Sequence, residues 1–262
     1  MEIRVLAVGD VVGTPGLRCL RKRLPGLKKE KQVHFCVVNG ENAAMVGITP
    51  AQAEEIFDAG ADCITLGNHT WNQREIIPYL DDNSRILRPA NFAPQNPGSG
   101  LGIYDTDMGK IAVINLIGRC DLDFHADNPF TKVDTLLNKT KDLPVVVDFH
   151  AEATSEKLAM GFYLDGRVSA VWGTHTHIPT ADLRRLPGGT GYITDLGMTG
   201  PKNSALGVDP AQSIALFRGE LTSRFKPAAG PNWLCAALFT IDCATGRCVG
   251  TEQVILSEED GL

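Results

Sequence analysis

Residues Ile3–Asp10 read IRVLAVGD, an apolar run that stops at Gly9 and ends in the carboxylate of Asp10. The run is short, apolar apart from Arg4 and bounded by a turn residue, as expected of a β-strand covered on both faces. The same design recurs along the chain. VHFCVVNGEN (Val33–Asn42) ends in Asn39, Glu41 and Asn42, and DCITLGNH (Asp62–His69) ends in Asn68 and His69. LPVVVDFH (Leu143–His150) ends in His150, and VSAVWGTHTH (Val168–His177) ends in His175 and His177. Helical patterns separate these runs. Thr14-Pro15 opens one, which Pro25 is expected to interrupt. Thr49 is the expected N-cap, with Pro50 in the first turn, of PAQAEEIFDAG. QREIIPYL and TSEKLAMGFYL read as two more. Strands alternating with helices predict an α/β fold, whose right-handed crossovers bring strand C-termini to one edge. Ligand sites of open α/β sheets lie outside that edge.

The middle and end of the chain depart from simple alternation. GIYDTDMGKIAVINLIG (Gly102–Gly118) predicts an antiparallel hairpin turning at Met108-Gly109. A Gly- and Asp-rich loop, a helix near Val133–Lys139 and a helix opened by Asp209-Pro210 follow. LCAALFTID and CVGTEQVIL form an antiparallel pair across ATGR. No linker, repeat or low-complexity stretch divides residues 1–262, so a single domain is expected. The basic run Arg21–Lys31 has leucines interleaved and reads as a solvated helix face.

The 262 residues suffice for a sizeable core, and 43% hydrophobic with 21% charged is ordinary for a globular protein. A net charge of −6 argues against a grip on nucleic-acid backbone. The seven cysteines include no C-x-x-C pair, which fits reduced thiols better than a disulfide frame or zinc cage. No apolar run reaches membrane-spanning length, and the start does not read as a signal peptide. A cytoplasmic protein without membrane attachment is expected.

The polar tips carry the chemistry. A lone His-x-His is unremarkable, but in extended chain His175 and His177 would face one spot. Five strands ending in carboxylates, amides and imidazoles are not explained as caps or core. Oxygen and imidazole donors without thiolate suit Mn²⁺, Fe or Zn²⁺. Seven candidates, Asp10, Glu41, Asn42, Asn68, His150, His175 and His177, exceed one tetrahedral ion. They suit two divalent cations about 3.5–4 Å apart, the spacing that clamps a phosphoryl group. A carboxylate must bridge them, and Asp10 and Glu41 are the acids at the tips.

The order strand-GD, strand-GNH, strand-H, strand-GxHxH resembles the calcineurin-like metallophosphoesterases, from Asp10 to His177. GDVVG, NGENAA, GNHTW, FHAEATSEK, GTHTH and TDLGMTG resemble the bacterial YmdB-like branch, whose members act as 2′,3′-cyclic nucleotide phosphodiesterases. The resemblance implies a four-layer α/β/β/α sandwich with two mixed sheets. It also implies one cation on Asp10, Glu41, Asn42 and His177, and another on Glu41, Asn68, His150 and His175, with Glu41 bridging. The chain departs from the wider superfamily where Asp10-Val11-Val12 lacks the usual histidine and Asn39-Gly40-Glu41-Asn42 replaces the Gly-Asp block. The lost imidazole favours Fe or Mn over Zn.

The expected reaction is in-line hydrolysis of a small phosphorylated nucleotide by metal-activated water, with His69 as general acid to the leaving alkoxide. RNA ends are a further candidate substrate, and a homo-oligomer is expected. Among other polar residues, His34 reads as structural and Ser99 as a turn residue. His125 is a candidate substrate contact, Glu152 a candidate partner for orienting His150, and Asp195 and Thr199 candidates for the rim. The rivals are a phosphomonoesterase of 5′-nucleotidase type, an amidohydrolase barrel and a metal-bound regulator acting through partners. The hairpins leave no room for the barrel's eight βα units.

Overall fold

A computed structural model describes residues 1–122 and 125–259. The chain runs β1 (Glu2–Val8), β2 (Asp10–Val11), α1 (Gly13–Glu30), β3 (Phe35–Asn39), α2 (Pro50–Asp58), β4 (Cys63–Thr65), α3 (Ile76–Asp82) and β5 (Ile86–Leu87). It continues through β6 (Leu101–Thr106), β7 (Gly109–Ile117), α4 (Pro129–Leu137), β8 (Val145–His150), α5 (Thr154–Leu164), β9 (Ala170–Thr174), β10 (Arg184–Arg185) and β11 (Gly191–Ile193). It ends with β12 (Met198–Pro201), α6 (Pro210–Phe217), β13 (Asn232–Asp242) and β14 (Cys248–Ser257). One sheet has the order β2-β12-β13-β1-β3-β4-β5, with β14 also paired to β13; the other has the order β10-β11-β9-β8-β7-β6. Both are mixed. β1, β3, β4 and β5 are parallel while β13 runs against β1, and β7, β8, β9 and β11 are parallel while β6 runs against β7.

The two-residue period of the strands builds the layers. In β1, Ile3, Val5 and Ala7 pack between the sheets with Phe35, Val37, Val113, Val146 and Trp172. Leu6 and Val8 point the other way, onto Leu17, Leu20 and Leu24 of α1 and Ile56 of α2. Across the second sheet, Val147, Phe149 and Val171 meet Val133 of α4 and Met160 and Leu164 of α5. Apolar residues on both faces of each central strand thus yield an α/β/β/α sandwich.

The inner face changes character toward the strand C-termini. Val37 is followed on its face by Asn39, Cys63 by Thr65, Val146 by Asp148 and His150, and Trp172 by Thr174; all of these polar residues are buried. They stitch the sheets together. Thr65 Oγ1 donates to Asp148 Oδ2 at 2.5 Å, and Asn115 Nδ2 of β7 donates to the carbonyls of Leu66 and Leu87 at 2.7 and 2.8 Å. The carboxyl edge of both sheets is therefore one polar floor.

Local expectations fare unevenly. Thr49 caps α2 in a capping box with Gln52, and Asp209 caps α6. The hairpin forms, with Asp107 and Met108 as its central residues and Thr106 opposite Gly109. Pro25 does not interrupt α1, which continues to Glu30. Leu24 and Leu27 are both buried against the first sheet, and that packing carries the helix past the missing N–H. α4 begins earlier than expected, at Pro129, because Asn128 Oδ1 accepts from the N–H groups of Phe130 and Thr131.

Candidate metal centre

All seven predicted ligands meet on the polar floor. Glu41 lies at the centre and is fully buried. Its Oε1 is 3.0 Å from His150 Nε2 and accepts from Asn42 Nδ2 at 3.1 Å, while Oε2 accepts the His69 N–H at 3.1 Å. On one side, Asn68 Oδ1 is 2.9 Å and His175 Nδ1 3.1 Å from His150 Nε2. Donor atoms of Glu41, His150 and His175 lie within 4.8 Å of one another. On the other side, His177 Nε2 is 3.2 Å from Asn42 Nδ2 and 3.8 Å from Asp10 Oδ1. Glu41 thus contacts both halves of the cluster.

The hydrogen bonds at the back of each imidazole decide which nitrogen faces inward. Thr174 Oγ1 donates its one proton to Asp148 Oδ1 at 2.8 Å, so at its 2.9 Å contact with His150 it accepts from Nδ1–H. His150 Nε2 is then the nitrogen turned to the cluster, toward Glu41 Oε1. Glu152 Oε2 lies 3.1 Å from His175 Nε2 and takes that proton, leaving Nδ1 inward. The Leu206 carbonyl lies 3.1 Å from His177 Nδ1 and leaves Nε2 inward. Metal-ligating histidines show this pattern, the far nitrogen donating to an oxygen. Glu152 therefore orients His175, not His150; Thr174, backed by Asp148, holds His150. Asp148 lies two residues before His150 on the same strand face, a signal legible in VVDFH; Thr174 and Thr65 carry none.

Three further observations fit this donor set to cations. Asp10 Oδ1 is buried and has no hydrogen-bond partner among the described residues, although Oδ2 accepts the His175 N–H at 3.2 Å. A Cβ on Gly67 would lie 2.3 Å from both Glu41 Oε2 and His150 Nε2, so the glycine of GNH is what lets carboxylate and imidazole converge. The electrostatics of the metal-free cluster are polarised. Burial pushes the Asp10 carboxyl up to about 6, although His177 and His150 pull it back. Burial acts the same way on Glu41, but the charge and hydrogen bond of His150 override it and hold the carboxyl at about 2. Burial and the charge of His150 lower His175 to about 3, keeping a neutral imidazole available as a ligand.

His175 and His177 do not converge by strand alternation. β9 stops at Thr174, and both histidines have left-handed backbone, φ 95° and 63°. Asp195 holds this strained turn from behind: its Oδ2 accepts from Thr176 N–H and Oγ1 and from Lys157 Nζ at 3.2, 2.6 and 2.6 Å. Asp195 and Thr199 are both fully buried and neither lines the cleft, so the expectation of a rim role is corrected. His34 accepts the Arg4 N–H and is structural. His125 is exposed and lies outside the cleft wall.

The cleft above the cluster has a volume of about 290 Å³ and is lined by Glu41, Asn42, Met45, His69, Glu152, His175, Thr176, His177 and Leu206. His69 Nδ1 is 3.3 Å from Asn72 Oδ1 and Nε2 3.3 Å from Asn68 Nδ2. It therefore faces the cleft while its neighbour Asn68 faces His150.

A family model described as YmdB-like protein matches residues 6–254. A Bacillus subtilis (strain 168) protein named 2′,3′-cyclic-nucleotide 2′-phosphodiesterase is 45% identical over 260 residues, spanning 98% of each chain. The crystal structure of a novel phosphatase from Mycoplasma pneumoniae matches with a TM-score of 0.92 and 36% identity, over 98% of this chain and 94% of that one. That of a hypothetical protein from Thermus thermophilus matches with a TM-score of 0.91 and 38% identity, over 98% of this chain and 100% of that one.

Proposed function

Because the chain belongs to the YmdB-like protein family, with the metallophosphoesterase fold, we propose that it is a dinuclear metal-dependent phosphodiesterase opening 2′,3′-cyclic nucleotides. The observation that carries the reading is the convergence of three imidazole nitrogens and two buried carboxylates, one with an orphaned oxygen. Glu41 would bridge two cations; Asp10, Asn42 and His177 would complete one site, and Asn68, His150 and His175 the other. Fe or Mn suits this oxygen-rich set better than Zn. When bound, the ions supply the Lewis-acid charge that both a phosphodiester and an attacking water need.

The chain's own residues do the rest. Asp148 and Thr174 fix the His150 tautomer, and Glu152 and the Leu206 carbonyl fix those of His175 and His177. As water adds to phosphorus, the bond from phosphorus to the ribose 2′ oxygen breaks. His69, on the cleft wall, gives its proton to that oxygen, and a 3′-phosphate results. Among the described residues the wall contains no Lys or Arg, so further phosphates of an RNA strand would find no cationic partner there. Mononucleotides are therefore favoured over RNA ends.

The test is elemental analysis of protein purified without chelator or added metal, paired with a turnover screen. The screen compares 2′,3′-cyclic and 3′,5′-cyclic nucleotides, monoesters and short RNA. Two ions per chain with preference for 2′,3′-cyclic nucleotides is the expected result. Full activity with one ion, or turnover confined to monoesters, overturns the reading.

A further inference from the structure

Among the described residues, four of the seven non-glycine residues with positive φ surround the cleft: Met45 (φ 69°), His175, His177 and Leu206 (φ 55°). Strain at the histidines aims their side chains at the cluster; at Met45 and Leu206 the backbone supports the cluster, but the side chains are apolar and free for another role. Leu206 and Gly207 are the central residues of a two-residue turn closed by Ala205 and Val208, whose N–H groups donate to each other's carbonyls at 2.9 and 3.0 Å. With both central φ values positive, this has the character of a turn that favours Asn-Gly. Leucine is a costly choice for the first position, and it is 49% exposed. Its carbonyl meanwhile takes the His177 Nδ1 proton, which ties the side chain's position to the metal cluster. Met45 sits in the loop after Glu41 and Asn42, its N–H donating to the Asn42 carbonyl at 2.8 Å. Two apolar side chains, each on backbone rigidly tied to a predicted ligand, thus stand in a wall otherwise made of polar groups.

We propose that Met45 and Leu206 form a base-binding subsite that grips the planar face of a nucleobase while its cyclic phosphate lies on the cluster. The proposal rests on the phosphodiesterase reading and adds the part of the substrate that reading leaves free. A thioether and a branched alkyl group give van der Waals and sulfur–aromatic contact and no hydrogen bonds. The subsite therefore accepts any base. It favours nucleotides over base-free phosphodiesters, and purine and pyrimidine nucleotides should be hydrolysed alike.

The experiment compares kcat/KM on 2′,3′-cyclic AMP, 2′,3′-cyclic UMP and glycerol 1,2-cyclic phosphate, which keeps the five-membered ring and has no base. It uses metal-loaded wild type, Leu206→Asn and Met45→Ser. Wild type should prefer both nucleotides to the base-free ring, and each variant should shrink that preference on the order of tenfold, mainly through KM for the nucleotide. Leu206→Asn should not lower Tm, since asparagine suits the turn, so a lost preference cannot be assigned to unfolding. Three results overturn the subsite: a wild type indifferent to the base, a variant with unchanged preference, or strong selection of one base. Failure of wild type to open any of the three rings overturns the phosphodiesterase reading and the subsite with it.

Discussion

Replacing Thr174 with valine keeps the shape of a fully buried side chain and deletes one oxygen. Two groups lose a partner. Asp148 keeps Thr65 Oγ1 at 2.5 Å and Asn39 Nδ2 at 3.3 Å, but loses a donor at 2.8 Å. A hydrogen bond to a buried charged group is worth about 1.5–3 kcal/mol. His150 Nδ1–H is left without an acceptor, at about 1–3 kcal/mol. Against a domain stability of about 5–15 kcal/mol, the fold survives but is weakened. The imidazole also has an escape: in metal-free protein it carries a proton on Nε2 as well, toward Glu41 Oε1 at 3.0 Å, and can shed the one on Nδ1. That relieves the stranded donor and removes the lone pair a cation needs. The expected result is a stability loss of about 2–3 kcal/mol in chelated protein, and Mn²⁺ binding weakened about 10–100-fold, the usual cost of losing such a supporting partner. Urea denaturation measures the first and calorimetric titration the second, with Thr174→Ser as the variant that retains the hydroxyl. An unchanged Mn²⁺ affinity in Thr174→Val would refute the idea that this hydroxyl sets the tautomer.

Three other outcomes are expected. Glu41→Gln should lose both ions and turnover while circular dichroism stays native; retention of both ions would make Asp10 the sole bridge. His69→Ala should cost about 10²–10⁴-fold on a 2′,3′-cyclic nucleotide, whose alkoxide needs a proton, and far less on bis-nitrophenyl phosphate, whose leaving group does not. Metal content should be intact; equal losses on the two substrates would mean that His69 binds phosphate instead. Finally, burial opposes the charge of His150, but Glu41 overrides it and raises the imidazole to about 9. A folded pKa above the unfolded value of about 6.5 stabilises the fold fully below that value, and the contribution is lost as pH rises through about 9. Metal-free protein should therefore lose stability in urea between these limits, and a flat profile there would contradict the His150–Glu41 pair.

The sequence by itself determined that the central strands are buried on both faces and which polar tips are the candidate ligands. Apolar runs in β1, β3, β8 and β9 had to be buried on both faces; that a second sheet covers the inner face came from the resemblance and the structure, since helices on both faces would bury such strands equally well. A polar residue at the end of each run names its candidate ligands without reference to anything distant, and all seven meet. Short elements such as β5 and β11, of two and three residues, carry too little periodicity to be read. Tertiary structure alone decided how the ligands are aimed. His175 and His177 face one spot through left-handed backbone held by Asp195, from a different segment, and not through strand period. Thr174, Glu152 and the Leu206 carbonyl became orienting partners by proximity across neighbouring strands of one sheet and two loops. A hydrogen bond depends on a distance between residues far apart in the chain, and such distances exist only once the strands have packed.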